Sequence, residues 1–129
     1  MYLIDTSMWV AFIRGYDEAM PLITAIKDNT PIACTEPVLM EVEAGARSIA
    51  AREQDRRLLR RGNWLPFDAA SDFTGAAEIY RSARLRGVTP NSHVDCMIIA
   101  VALRRRATLM TLDHQQADIA RMFGVEVAA

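Results

Sequence analysis

The chain has 129 residues, 51% of them hydrophobic and 24% charged, with a net charge of −1. That is the profile of one globular domain with enough apolar material for its own core, which excludes a disordered, collagen-like or low-complexity chain. The longest unbroken apolar run, Cys96 to Leu103, is eight residues, far short of the roughly 20 that a bilayer-spanning helix needs. Asp5 interrupts the first apolar stretch and no basic lead precedes it, so no export signal is read and a cytoplasmic location is expected. Cys34 and Cys96 sit in apolar contexts and read as small core residues. The two histidines are too scattered to join them in a zinc site. The charge is segregated: residues 1–46 carry −5, residues 47–106 carry +6 and residues 107–129 carry −2.

Tyr2-Leu3-Ile4 reads as a short buried strand that runs into a helix, with Thr6 or Ser7 as N-cap and Met8, Trp9, Phe12 and Ile13 facing inward. A second helix is expected over Glu18 to Lys27, followed by the turn Asp28-Asn29-Thr30-Pro31. Ile32-Ala33-Cys34-Thr35 is a second strand, and Glu36-Pro37 opens a helix to about Gly45. The stretch 48–61 is helical and very basic, and Trp64 to Phe67 forms a short edge strand. Ser71 or Asp72 caps a helix reaching Arg86; Ser92 starts another, His93 to Arg106. Thr108 to Leu112 is a strand ending at Asp113. A last helix covers about 115–123, and Val125-Glu126-Val127 is a possible final strand. No repeat or linker divides the chain, so a single domain over 1–129 is expected. Strands alternating with helices predict an α/β fold with a parallel sheet covered on both faces.

Four acids fall on one edge of such a sheet. Asp5 ends the first strand and Asp113 follows the Thr108–Leu112 strand. Asp95 lies in the first turn of one helix, and Glu41 in the second turn of another. Strand ends and helix starts share an edge in a parallel α/β sheet, and ligands bind there. Taken singly, each acid has a plain structural role: a turn, a helix cap with Ser92, or an exposed helix position. Together, separated by 36, 54 and 18 residues, they make a carboxylate cluster. Glu43, roughly 200° around the helix from Glu41, points elsewhere. Crowded carboxylates repel, and a hard divalent cation with oxygen ligands, Mg²⁺ or Mn²⁺, resolves the repulsion. With a basic surface nearby, that chemistry fits phosphodiester hydrolysis.

These residues resemble the PIN-domain ribonucleases, in particular the VapC-like toxins of bacterial toxin–antitoxin pairs. The matching pieces are Leu-Ile-Asp5-Thr-Ser, Pro-Val-Leu-Met-Glu41-Val, Val-Asp95-Cys-Met-Ile-Ile-Ala and Thr-Leu-Met-Thr-Leu-Asp113, in that order across the whole chain. The resemblance implies a three-layer α/β/α sandwich with a short, mostly parallel sheet. It implies Mg²⁺-dependent endoribonuclease activity on tRNA or rRNA, a homodimer, and a small cognate antitoxin. It makes Asp5, Glu41, Asp95 and Asp113 the catalytic and metal-binding acids, with Thr6 and Ser7 as supporting hydroxyls. Many relatives carry a further acid where this chain has Gln115, and a phenylalanine where it has Gln116.

The arginines of the basic stretch, Arg56, Arg57, Arg60 and Arg61 above all, are candidate RNA backbone contacts, with a solvated helix face as the equal alternative. Arg104-Arg105-Arg106 is expected to answer its own helix dipole, and His93 and His114 to serve as surface or capping residues. Two other functions compete. Phosphoryl transfer through Asp5 wants a second acid where Ser7 stands. A non-enzymatic, receiver-like or interaction domain with an acidic cation pocket would show a lysine after a late strand, and the single lysine is Lys27.

Overall fold

The computed structural model describes residues 1–128. In chain order the elements are β1 (Tyr2–Ile4), α1 (Thr6–Ile13), a 3₁₀ turn (Asp17–Ala19), α2 (Met20–Lys27), β2 (Ile32–Cys34), α3 (Glu36–Ala44), α4 (Ile49–Leu59), β3 (Asn63–Trp64), α5 (Ala69–Leu85), α6 (His93–Arg105), β4 (Thr108–Met110) and α7 (His114–Met122). The four strands are all parallel, in the order β3-β2-β1-β4, with helices flanking the sheet. Leu3 of β1 stands between Ala33 and Leu109, and Ile4 is opposite Met110. This central strand is covered on both faces, so Leu3 and Ile4 are fully buried and no polar alternation is seen. The α/β/α sandwich read from the sequence is therefore present.

Because every strand runs the same way, Ile4, Cys34, Trp64 and Met110 end at one edge, and α1, α3 and α7 start there. The core behind that edge is dominated by Leu3, Ile4, Ile98, Ile99, Val101 and Leu109, all fully buried. Each such side chain contributes on the order of 1.5–3 kcal/mol.

Several elements differ from the sequence reading, each for a local reason. Asp5, not Thr6 or Ser7, caps α1, since its carboxylate accepts from the Ser7 backbone N–H at 3.0 Å. Glu18 falls in the 3₁₀ turn, so α2 starts later, with Pro21 in its first turn. Asp68 occupies the N-cap position of α5, and the expected cap Asp72 lies inside the helix, 2% exposed. Its carboxylate accepts a two-pronged fork from Arg104, at 2.9 and 2.8 Å, and the Asp68 N–H at 2.8 Å. Arg104 thus spends its charge on a buried acid and the Pro66 carbonyl, not on its own helix end. The edge strand expected at Trp64–Phe67 is the two-residue β3, and β4 stops at Met110. The proposed last strand reduces to one bridge between Leu109 and Val127. Ile13, expected inside, is 39% exposed.

Candidate active site

Asp5 is 4% exposed, an acid placed where the apolar β1 gives way to α1. Burial of a charge this deep demands donors, and the carboxylate has them. Its Oδ2 accepts from the Ser7 N–H at 3.0 Å and the Ser7 hydroxyl at 2.7 Å, with the Thr111 hydroxyl 3.0 Å away. Its Oδ1 accepts from Nε2 of Gln116 at 3.1 Å. Ser7 Oγ in turn accepts the Leu112 N–H at 2.9 Å, which ties the start of α1 to the segment after β4.

Asp113 is the N-cap of α7. Its Oδ1 accepts the Gln116 N–H at 3.2 Å, and its own N–H donates to Thr111 Oγ1 at 3.0 Å. Glu41, on α3, accepts the Thr6 hydroxyl at 2.6 Å. Burial raises its pKa and the charge of Asp5 adds to that, while the Thr6 hydrogen bond opposes both.

The Asp95 side chain has no hydrogen bond among the described residues. Ser92 caps α6 alone, through the Val94 N–H at 3.0 Å. Burial pushes the Asp95 pKa up to about 7, reinforced by Asp5, Asp113 and Glu41 in that order. The charges of Asp5, Asp113 and Glu41 thus reach Asp95. None of the ion pairs among the described residues involves them. They stand close enough to feel each other's charge, yet among the described residues no three His, Cys, Asp or Glu side chains are already gathered in metal-ligand geometry.

Thr6 and Ser7, expected as supporting hydroxyls, each hold one of the acids. Two residues that hold Asp5 were given no role in the sequence reading: Thr111, and Gln116, noted there only as a departure from the relatives. Gln116 does carry a signal, since it shares a helical face with Ile119 and Ala120, a position that should be apolar. Gln115 instead clasps the loop before α6, accepting the Asn91 N–H at 2.9 Å and donating to the Thr89 carbonyl at 3.0 Å.

The basic stretch is largely occupied elsewhere. Arg56 forks onto Glu43 at 2.8 and 2.9 Å, which also confirms that Glu43 faces away from the acids. Arg60 lies 4.7 Å over the Trp64 ring, and Arg57 is 4.0 Å from Glu53. Arg61 borders a shallow depression with Asn29, Pro31 and Gly62, at the strand-start edge opposite the acids. His93 packs against Tyr80 in a tilted contact, ring centroids 4.5 Å apart and planes at 51°, and His114 is exposed.

Comparison with known proteins agrees with this geometry. The PIN domain family model matches residues 2–122. The chain is 36% identical to VapC ribonuclease Mb1587 of Mycobacterium bovis and, equally, to ribonuclease VapC11 of Mycobacterium tuberculosis; each match covers all of this chain and 98% of the relative. Among solved structures, VapBC2 of Rickettsia felis bound to a promoter DNA fragment superposes with a TM-score of 0.74 at 21% identity, covering 98% of this chain and 96% of that one. FitAcB of Neisseria gonorrhoeae superposes with a TM-score of 0.73 at 21% identity, covering 100% and 97%. The full-length match, the parallel sheet and the four acids at its strand-end edge place the chain in the PIN-domain family, in the branch of the VapC ribonucleases.

Proposed function

We propose that this protein is a metal-dependent endoribonuclease serving as the toxin of a toxin–antitoxin pair, with Mg²⁺ as its cofactor and Mn²⁺ as a substitute. The observation that carries the reading is the convergence of Asp5, Glu41, Asp95 and Asp113 with no cationic partner among the described residues. The donors are all oxygen, which suits a hard divalent ion, and half-buried Asp95 gains most from one. Asp5, Asp95 and Asp113 would hold the ion, with Glu41 at its margin. When bound, such a cation supplies positive charge to a phosphodiester and makes a neighbouring water more acidic. The chain's own contribution is placement. Ser7 and Gln116 lock Asp5, and Thr6 steers Glu41. The starts of α1, α3 and α7 turn backbone N–H groups toward an anionic substrate.

The named relatives are ribonucleases, and the solved neighbours include toxin–antitoxin complexes. RNA as substrate (tRNA or rRNA loops), a small cognate antitoxin and a homodimer belong to the same reading. The test is cleavage of total RNA by purified protein with Mg²⁺, with EDTA, and after Asp5→Asn or Asp95→Asn. Loss of cleavage in the last three, with native far-UV circular dichroism, is expected. Cleavage that survives EDTA, or wild-type turnover in either variant, would overturn the proposal.

A further inference from the structure

Gln116 is 0% exposed, although it is a polar residue in a site of charged ones. A fully buried amide has to satisfy its donor and its acceptor. Nε2 donates to Asp5 Oδ1 at 3.1 Å, and Oε1 accepts from the Thr111 hydroxyl at 2.7 Å. This amide orientation is the consistent one, because a carboxylate can only accept. Thr111 has a single proton, and Gln116 Oε1 is its nearer acceptor, at 2.7 Å against 3.0 Å for Asp5 Oδ2. The Thr111 oxygen is itself fixed by the Asp113 N–H at 3.0 Å. A directed chain therefore runs from the Asp113 backbone through the Thr111 hydroxyl and the Gln116 amide to Asp5. The same residue closes the loop from the other side, since its backbone N–H holds Asp113 Oδ1 at 3.2 Å.

Two consequences follow for Asp5. Its Oδ2 is crowded by Ser7 and Thr111, whereas Oδ1 receives the Gln116 amide and keeps one lone pair. Oδ1 is thus the oxygen left to face a cation, and the amide fixes the rotation of the carboxylate that presents it. We infer that Gln116 is a positioning residue: with its side chain on Asp5 and its backbone on Asp113, it sets the spacing of two carboxylates for a divalent cation. This rests on reading the acidic cluster as a metal-dependent site. An apolar residue at 116 keeps the backbone grip on Asp113 and loses the hold on Asp5, and it frees the Thr111 hydroxyl to donate to Asp5 Oδ2 instead. Groups that orient a metal's ligands in this way typically change metal affinity about 10- to 100-fold when removed.

The experiment is calorimetric titration of Mn²⁺ into wild type, Gln116→Met, Asp5→Asn and the double variant, with melts in EDTA as the measure of folding. Met matches the length of Gln without its hydrogen bonds, and Gln116→Leu is the second variant should Met not fold. About 10-fold or greater weakening of Mn²⁺ binding in Gln116→Met is expected. In the Asp5→Asn background the same change should have little further effect, because Gln116 acts through Asp5. With RNA, kcat should fall while KM stays within about twofold. Unchanged Mn²⁺ affinity in a folded Gln116→Met protein, or equal loss with and without Asp5, would overturn the inference. If wild type itself binds no Mn²⁺, it is the metal-dependent reading that fails.

Discussion

Asp95→Asn offers a test of the acidic cluster that needs no substrate. Asp95 titrates at about 7 in the folded protein against a usual 3.8, so its charged form is disfavoured, at face value, by about 4 kcal/mol. Asp95 is only half-buried, and solvent screening reduces this to roughly 2 kcal/mol. Asparagine has the same shape and no charge. It forgoes the attraction between a carboxylate and the start of α6, about 0.3–1 kcal/mol. The net expectation is a variant more stable than wild type by about 1–2 kcal/mol in EDTA at pH 8. At this chain length that is roughly 4–7 °C in Tm.

The sign follows from proton counting. A raised folded pKa means that the folded state binds more protons between pH 4 and 7, so wild-type stability falls as pH rises through that window. The two melting curves should therefore converge near pH 4 and separate above pH 7. Mg²⁺ binds only the assembled cluster and should raise the wild-type Tm, with a smaller rise in Asp95→Asn. Melts or urea titrations from pH 4 to 8, with EDTA and with millimolar-range Mg²⁺, read all of this. A variant less stable than wild type at every pH, with no response to Mg²⁺ in wild type, would refute the reasoning and leave Asp95 as a helix-start residue only.

Arg104→Met should cost about 3 kcal/mol or more by urea unfolding, because it strands the buried Asp72 carboxylate; a cost under 1 kcal/mol would show that Asp72 finds water instead. Burial pushes the Cys34 thiol up to about 12 and the Cys96 thiol up to about 11. Both should resist a thiol reagent at pH 8 in native protein and react fully in urea. Neutralising Arg56, Arg57, Arg60 and Arg61 together should lower RNA affinity only severalfold, since Arg56 is committed to Glu43 and Arg61 lies on the far edge. A fall in salt slope approaching four would instead lay RNA across α4.

What the sequence made legible were features decided within a few residues. The apolar Tyr2-Leu3-Ile4 run stopping at an acid, and the Ser92 start of an apolar helix, put β1 and α6 where they stand. The four acids follow from parallel topology alone, because their positions relative to strand ends need no knowledge of side-chain contacts. The misplaced features depend on distant partners. Asp68, Ser71 and Asp72 are equally good caps locally; Arg104, 32 residues away, draws Asp72 inward. The amide that orients Asp5 comes from 111 residues away. Propensity cannot weigh a contact whose other half is unknown. The periodicity of α7 could flag Gln116 as misplaced, but not say what it holds.

The four acids are not held alike, and the differences divide the site into a fixed half and an adjustable half. Asp5 is gripped by Ser7 and Gln116, and Asp113 by the backbone of α7. Glu41 has one hydroxyl, and the Asp95 side chain no hydrogen bond among the described residues. A rigid pair can define where a cation sits, and a loosely held pair can move in to complete its shell. As they stand, the acids interact by charge without standing in ligand geometry among the described residues. The cost of keeping Asp95 there is met from behind. Cys96, Ile98 and Ile99, in the same stretch of α6, are fully buried. At on the order of 1.5–3 kcal/mol each, the two isoleucines together exceed the roughly 2 kcal/mol that burial and the neighbouring acids cost the Asp95 charge. Truncating Ile98 or Ile99 would thus threaten the site by releasing α6, although neither side chain carries any of its charge. Removing that half-buried charge, as Asp95→Asn does, should stabilise the fold and disable the chemistry at once.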